Sequence, residues 1–492
     1  MPIRSFLLVL FCVPMVVDAD SFDHGLAIGD VTSQSAVIWS RAETTETVLI
    51  ELDTTDAFSA PVTRRVAPRP DADHTLSTRF DDLTPATRYH VRVGGDTEHP
   101  VLGTFTTAPA LEASDPIRFL VGGDVGGQGY CRHVDRGYDI FTAMASHEPD
   151  FFVANGDMIY ADGDCPADGP GDWRNIPGDF PAVHWPPIDW TDAGRIAEIM
   201  HAHWRYNRAD PHHRDFLART PIYAQWDDHE VINDFGAAWQ AWSPQLDRPG
   251  YPTLVTAGRD ALFAWNPFDR HPDEPDRIYR AFDWGSQLDL ILLDARSYRD
   301  LNDLAARPEN PKTMLGHAQR DWLIERLTTS QARWKVVSSD VPLSLPTGSN
   351  ADLYGRDGFA NGPTYGAGYG ARTGFEAELL DILRALDAAD VDNLVFVVTD
   401  VHFAMVLRYA IDLDGDGDLL HFHEVLSGPL NAVTLTTPPQ LDPTLKPTIL
   451  FAEGDIFNYA QVQIDDKGHL TATIHGSDGA VRDGSRLDLE PR

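Results

Sequence analysis

Basic side chains are in short supply: 39 Lys and Arg stand against 75 Asp and Glu in 492 residues, a formal net charge of −36 at pH 7. A surface of that sign repels phosphate backbones and anionic headgroups, which gather Lys and Arg, so nucleic acid and acidic lipid are excluded as partners. The acidic excess leaves two readings: solubility in a saline setting, or a demand for carboxylates that bind cations. Long hydrophobic runs are lacking too. Beyond residue 17 nothing approaches the roughly 20 apolar residues of a bilayer-spanning helix, so no stable membrane insertion is expected. Cysteine is rare, at 3 residues, but 42% hydrophobic content is enough to build sizeable cores without cofactor staples.

The N-terminus accounts for one of those cysteines. Met1 to Arg4 is short and basic, Ser5 to Val17 is almost uninterrupted apolar sequence, and Val17-Asp18-Ala19 offers the small residues a signal peptidase needs. Residues 1–19 are therefore expected to be a cleaved signal peptide that removes Cys12, leaving a soluble mature chain in the periplasm or the medium. Cys131 and Cys165 remain. In an oxidising compartment such a pair bridges when its Cα atoms come within about 7 Å.

Two domains are the prior for this length. Residues 20–110 read as short alternating strands such as Ala36-Val37-Ile38-Trp39 and Tyr89-His90-Val91-Arg92-Val93, separated by Asp, Thr and Pro clusters: a small β-sandwich. Leu83-Thr84-Pro85-Ala86-Thr87-Arg88-Tyr89 has the pattern of a tyrosine corner, and with Trp39 it resembles a fibronectin type III domain. Trp39 and Tyr89 are read as packing residues, and this domain as non-catalytic. A hinge at 107–116 follows, and from residue 115 to 492 the period changes. Buried apolar runs (118–121, 151–154, 288–293, 334–337, 394–398) alternate with helical candidates (136–147, 193–206, 317–329, 375–389). That succession predicts an α/β fold, an α/β/α sandwich.

The chemistry sits where those runs stop. Gly123-Asp124, Asn155-Gly156-Asp157, Asp227-Asp228-His229-Glu230 and Thr399-Asp400-Val401-His402 each place acids or histidine in the loop after a strand. One such Asp is ordinarily a turn residue or helix cap. Four loops in order are different: open α/β sheets gather their ligand beyond the carboxyl ends of strands, and carboxylates converging there need cations between them.

Gly156-Asp157-Met158-Ile159-Tyr160-Ala161-Asp162, Trp226-Asp227-Asp228-His229-Glu230-Val231, Asp400-Val401-His402, Ser427-Gly428-Pro429-Leu430-Asn431-Ala432 and Leu293-Asp294-Ala295-Arg296-Ser297-Tyr298-Arg299 resemble the motifs of the alkaline phosphatase D (PhoD-like) family of metallophosphoesterases. The likeness runs from about residue 24 onward and includes the small β-domain. It implies secreted hydrolysis of phosphate monoesters or diesters of small molecules by a monomer, with Fe(3+) and Ca(2+) as metals. Asp157 would bridge two metal subsites, Tyr160 would give a phenolate to iron, and His402 would complete the iron site. Asp400 would serve the second subsite, with Asp228 or Asn233 supplying further oxygen. A hydroxide between the metals would attack phosphorus in line. His229 would bond the phosphoryl group or protonate the leaving alkoxide, or else orient a neighbouring carboxylate.

The chain departs from the family at two points. Where relatives often carry a cysteine after the first strand, Val121-Gly122-Gly123-Asp124 offers a hard carboxylate, which shifts preference toward oxygen-loving cations. Cys131 is either a displaced thiolate ligand or, the favoured reading, the partner of Cys165 in a bridge joining two metal-binding loops. Many relatives also carry a twin-arginine leader, whereas Met1-Pro2-Ile3-Arg4-Ser5-Phe6 has one Arg, so Sec-type export is expected.

Three further stretches carry polar or metal-ligating residues. Asp412-Leu413-Asp414-Gly415-Asp416-Gly417-Asp418 opens like a calcium loop, but an EF-hand needs Glu where His423 stands and helices where strands are read, so a plain hairpin turn is expected. The Gly- and Tyr-rich stretch Pro346 to Gly374 is expected to lie over the site. His201, His203, His212 and His213 read as surface or packing residues. Two other functions use the same scaffold: a non-catalytic cation- or phosphate-binding protein, and a phospholipase-like esterase needing an apolar approach to the site.

Overall fold

The computed structural model describes residues 22–184, 187–236, 249–300, 312–345, 358–360, 374–438 and 441–492. The expected signal peptide lies outside these residues, as does the stretch from Pro346 to Gly374 apart from 358–360 and Gly374.

The N-terminal strands are β1 (Leu26–Gly29), β2 (Ala36–Arg41), β3 (Val48–Asp53), β4 (Val62–Val66), β5 (Thr75–Phe80), β6 (Arg88–Val93) and β7 (Val101–Thr106). Then come β8 (Ile117–Gly122), α1 (Ile140–Ala145), β9 (Phe151–Asn155), α2 (Ala193–Arg208), α3 (Pro211–Leu217), β10 (Ile222–Gln225), α4 (Tyr251–Trp265), β11 (Arg280–Trp284), β12 (Leu288–Leu292), α5 (Gly316–Thr329) and β13 (Trp334–Ser339). The chain ends with α6 (Glu376–Asp387), β14 (Leu394–Val398), β15 (Ala404–Ile411), β16 (Leu420–Leu426), β17 (Thr448–Glu453), β18 (Asn458–Ile464), β19 (Leu470–Gly476) and β20 (Leu487–Leu489).

These strands form a nine-stranded sheet, β20-β19-β18-β8-β9-β10-β1-β2-β5, a seven-stranded sheet, β11-β12-β13-β14-β16-β15-β17, and a four-stranded sheet, β4-β3-β6-β7. The two large sheets lie face to face. Phe119, Val121, Phe151 and Val153 of the first pack with Leu290, Val336, Val395 and Val425 of the second. Alternate residues on the same strands, Leu120, Phe152 and Ala154, face α2, α3 and α4, while Ile291, Val337 and Phe396 face α5 and α6. This explains why these strands read as unbroken apolar runs: both faces are covered, as parallel strands require. The α/β sandwich expected from the sequence is thus built with a doubled β layer, helix, sheet, sheet, helix. Among the described residues no helix is long and apolar enough to cross a membrane.

The N-terminal strands make an all-β sandwich in which β1, β2 and β5 also extend the nine-stranded sheet through β10. Its tyrosine corner is present, with the Thr84 N–H donating to the Tyr89 hydroxyl at 3.0 Å. Trp39 packs, as expected, but not in the sandwich core. It faces α4, donates its indole N–H to the Ala264 carbonyl at 2.6 Å and lies under the Arg208 guanidinium, so it joins the two all-β and α/β parts.

The Asp-rich stretch 412–418 is the turn between antiparallel β15 and β16, with the Asp387 carboxylate accepting the Leu413 and Asp414 N–H groups at 2.6 and 3.1 Å. Of His201, His203, His212 and His213, three are packing residues. His201 accepts from the Trp265 indole, His203 lies over Phe180, and His213 stacks on Phe141 at 4.3 Å. His212 pairs with the Thr142 hydroxyl.

Glu424, on β16, is buried, and among the described residues the Tyr409 hydroxyl and the Leu343 N–H are the donors to its carboxylate. Burial pushes its pKa from 4.5 up to about 7. The folded chain therefore holds this proton more tightly than the unfolded chain, and stability falls as pH rises from about 4.5 through about 7. Glu424→Gln removes that loss. Urea midpoints should show the variant more stable than the parent at pH 8, by up to about 3 kcal/mol, and equal to it near pH 4.5. An equal or weaker variant at pH 8 would mean that the carboxylate is favourably paired.

Candidate metal centre

The carboxyl ends of β8, β9, β10 and β14 meet at one edge of the paired sheets, held there by amides. Asn155 donates to the Ser338 hydroxyl and the Val397 carbonyl at 2.6 and 3.1 Å, and Gln225 to the Leu293 and Ser338 carbonyls at 2.7 and 3.1 Å. Each loop leaving a strand turns at once. Asp124, Asp157, Asp400 and His402 all have φ between +53° and +74°, a left-handed conformation that Asp tolerates and that His adopts at a cost. Gly156 and Gly428 permit the crowding. A Cβ at Gly156 would lie 2.5 Å from the Asp227 Cβ, and one at Gly428 would lie 2.4 Å from Asp124 Oδ2.

Donor atoms of Asp124, Asp157 and His402 lie within 4.8 Å of one another, as do those of Asp157, Asp228 and His229. Asp157 belongs to both groups. The Tyr160 hydroxyl lies 3.0 Å from His402 Nε2 and 3.5 Å from Asp124 Oδ1, inside the first group. His402 Nδ1 donates to the Val433 carbonyl, which leaves the Nε2 lone pair facing Tyr160 and Asp124. Asp400 joins Asp228 and Asp227 in a further group. Asn233 lines the cleft beside Asp157 and Asp228, its own N–H bonded to Asp162 Oδ2 at 2.9 Å. All eight residues singled out in the sequence are therefore in one site.

Charge in this site is unbalanced. Burial, then Asp228 and Glu230, push Asp124 up to about 8 against the pull of His229. Burial and the carboxylates of Asp228, Asp227, Glu230 and Asp124 push Asp157 well above the carboxylate range. Burial also raises the Tyr160 hydroxyl, with Asp157 and Asp124 adding to it. Asp124 Oδ2 and Asp228 Oδ1 are buried without a hydrogen-bond partner among the described residues. Unpaired buried oxygens clustered around a shared carboxylate, with an imidazole and a phenol, fit a pair of hard cations.

Three residues not assigned from the sequence organise the site, and all three lie within the motifs quoted above. Asp162 accepts from His229 Nδ1 at 2.6 Å. Burial opposes a proton on His229, but Asp162, Asp228 and Asp227 outweigh it and hold the imidazole up to about 10. Arg296, fully buried, binds Asp227 through Nε at 2.5 Å and reaches to 3.6 Å from both Asp228 and Asp400, so the third carboxylate group has its counter-charge. Glu230 accepts the N–H groups of Asp157, Asp227 and Met158 at 3.0, 2.9 and 2.7 Å, tying the β9 and β10 loops together. Gln in its place turns an NH2 toward an N–H. Glu230→Gln should therefore lower metal affinity and kcat/KM by about 10- to 100-fold, the usual scale for groups that orient ligands. Metal titration followed by assay checks this, and an unaffected affinity would reduce Glu230 to a fold role.

Cys131 and Cys165, separated by 34 positions in sequence, form a disulfide with Cα atoms 5.8 Å apart. It joins the β8 and β9 loops and removes Cys131 as a thiolate ligand. Closing a loop of that length stabilises by about 3–4 kcal/mol through the unfolded chain. The Ser427–Ala432 stretch clamps the same region, with Leu430 and Asn431 N–H groups donating to the Gly123 and Asp124 carbonyls at 2.9 and 3.0 Å.

Two facing mixed sheets that collect acids, histidines and a tyrosine at their strand ends define a metallophosphatase fold. A purple acid phosphatase from yellow lupin (Lupinus luteus) seeds shares that fold with a TM-score of 0.58 and 13% identity, covering 95% of this chain and 73% of the lupin chain. A solved structure of PhoD shares it more fully, with a TM-score of 0.73 and 19% identity, covering 96% of this chain and 93% of that one. The chain belongs to the PhoD-like phosphatase family: the model of that family matches residues 119–474, and the model of its N-terminal domain matches residues 14–109. Alkaline phosphatase D of Bacillus subtilis (strain 168) is 23% identical over 419 residues, 80% of this chain, and the match spans 66% of the Bacillus protein's length.

Proposed function

We propose that this chain is an exported, monomeric phosphoesterase that hydrolyses phosphate monoesters or diesters of small molecules with bound metal ions. The observation that carries this reading is the sharing of Asp157 between two donor groups. Asp124, Tyr160 and His402 would complete one subsite, and Asp228, with Asn233 and Asp400 beside it, the other. Fe(3+) and Ca(2+) are the cations proposed, and the carboxylate at Asp124, in place of a soft thiolate, favours oxygen-loving cations. Such cations supply Lewis acidity for the phosphoryl oxygens and ease the loss of a proton from water.

The remaining work falls to the chain's own residues. Asp162 fixes the His229 ring through Nδ1, so Nε2 is directed to the cleft as a donor. From there it can bond a phosphoryl oxygen or pass its proton to the departing alkoxide. Neither nucleic acid nor a bilayer is proposed as partner, given the net charge of −36. The Cys131–Cys165 disulfide supports export to an oxidising compartment, periplasm or medium.

The test pairs elemental analysis of the purified mature chain with hydrolysis of a monoester and a diester chromogen before and after chelation. About two metals per chain, with activity lost on chelation and regained on metal return, is the expected result. A metal-replete chain inactive on every ester would replace this reading with that of a cation- or phosphate-binding protein.

A further inference from the structure

The loop after β8 brings one more polar side chain to the cleft over the candidate metal centre. Gln128 lines that cleft together with Asp157, Asp228, His229 and Asn233. It is exposed, and its backbone is left-handed at φ +54°, a conformation that Gly adopts freely and Gln only at a cost. Among the described residues nothing hydrogen-bonds its side-chain amide.

The backbone on either side of Gln128 is fixed. The Gly126 N–H donates to the Asn431 carbonyl at 2.7 Å, and the Tyr130 N–H to the Gly127 carbonyl at 3.0 Å. Asn175 Nδ2 donates to the Gly129 carbonyl at 3.0 Å, and Asn431 Nδ2 to the Tyr130 carbonyl at 2.6 Å. Cys131 ends the loop, tied to Cys165 by the disulfide and, through its N–H, to Asn175 Oδ1 at 3.0 Å. Gly127 abuts the tyrosine of the metal centre: a Cβ there would stand 2.3 Å from the Tyr160 ring, whose centroid is 4.2 Å from that of His229.

A strained residue on a rigid loop, with its amide bonded to nothing in its own chain, is arranged for something that enters the cleft. A phosphoryl group entering it meets carboxylates and, among the described lining residues, no Lys or Arg. Besides cations it needs neutral donors, which bond its oxygens without adding negative charge. Asn233, beside the second subsite, and Thr436 are others in the lining, but Gln128 is the one held there against its backbone preference.

We infer that Gln128 contacts the substrate, donating an amide N–H to a phosphoryl oxygen of the bound ester, and that the Cys131–Cys165 disulfide positions it; this rests on the phosphoesterase reading above.

The test uses the metal-replete chain. Gln128→Ala should lower kcat/KM by about 10- to 100-fold, the scale of a hydrogen bond to a charged group, and weaken the binding of inorganic phosphate in calorimetry, with metal content unchanged. Gln128→Gly relieves the backbone, so it should lose as much activity while melting no lower than the parent, a pairing that a fold role would not give. Gln128→Glu should cost more with a monoester dianion than with a diester monoanion. Replacing Cys131 and Cys165 together by Ala should lower kcat/KM in the parent and much less in the Gln128→Ala background. If the cysteine variant does not fold, reduction of the folded chain by a phosphine gives the same comparison. Equal losses in both backgrounds would overturn the positioning role of the disulfide. Parent-like kcat/KM and phosphate binding in Gln128→Ala, or a loss traced to missing metal, would overturn the contact and leave the phosphoesterase standing. No hydrolysis of any ester by the parent would overturn both.

Discussion

Asp157→Asn should reduce kcat/KM by about 10³-fold or more, the scale on which a single preorganised electrostatic group is lost. The substitution keeps shape and one acceptor, so the His229 N–H, at 3.1 Å from Oδ1, retains its partner. What disappears is the negative charge shared by the Asp124–His402 group and the Asp228–His229 group. Elemental analysis should therefore show fewer than two metals per chain. Stability moves the other way. In the metal-free chain Asp157 is a buried carboxylate pushed up first by burial and then by Asp228, Asp227, Glu230 and Asp124. Removing its charge relieves that repulsion, so the chelated variant should melt above the chelated parent. That pairing marks a residue kept for function at the expense of stability. Activity within tenfold of the parent at full metal content would remove Asp157 from the centre of the site.

The parts of the fold legible in the sequence are those buried on both faces. β8, β9, β12, β13 and β14 read as apolar runs because one set of alternate side chains meets the second sheet and the other meets helices. α2, α5 and α6 lie close to the ranges expected for them. α3 and α4 were not expected. α3 has only seven residues, too few for a period, although Asp210 capping the His212 and His213 N–H groups ahead of a Pro at its start is a nameable signal. α4 opens on Gly250-Tyr251-Pro252, which reads as loop. β10 is four residues long and ends in Gln225, an amide spent on joining the two sheets, so its hydrophobic period is cut short. β18, with Asn458, Gln461 and Gln463, mixes polar residues into a strand that is nonetheless largely buried.

The candidate site was legible for a related reason. Asp and His placed just beyond strand ends have no local role that would bring four such loops together, so their recurrence pointed to convergence. Residues that act through others leave a weaker trace. Asp162 and Glu230 sit inside the quoted motifs, but nothing in their spacing says that one orients an imidazole and the other accepts three N–H groups from two loops. Trp39 shows the converse. Its strand is plain in the sequence, yet which face it takes depends on α4, more than 200 residues away, whose Ala264 carbonyl it binds.

Removing Arg296 should cost the fold heavily. Its side chain and that of Asp227 are both fully buried, and the Nε to Oδ1 distance is 2.5 Å. Burial raises the Asp227 carboxyl well above the carboxylate range, with Asp228 and Asp340 adding to the rise, and the Arg296 guanidinium is the main influence holding it down. Arg296→Met leaves that carboxylate without its counter-charge, at a cost of about 3–5 kcal/mol. Urea midpoints should show the loss, and kcat/KM should fall by about 10- to 100-fold as Asp228 and Asp400, each 3.6 Å from the guanidinium, lose their neighbour. The double variant Asp227→Asn with Arg296→Met separates the two effects. Neutralising Asp227 should recover at least half of the lost stability, a coupling that independent sites would not show. It should recover little activity, since Asp228 and Asp400 still lack the cation between them. Arg296→Lys should fall in between, keeping the charge but not the planar fork that reaches three carboxylates. Additive losses in the double variant would show instead that Arg296 holds the fold through contacts other than Asp227.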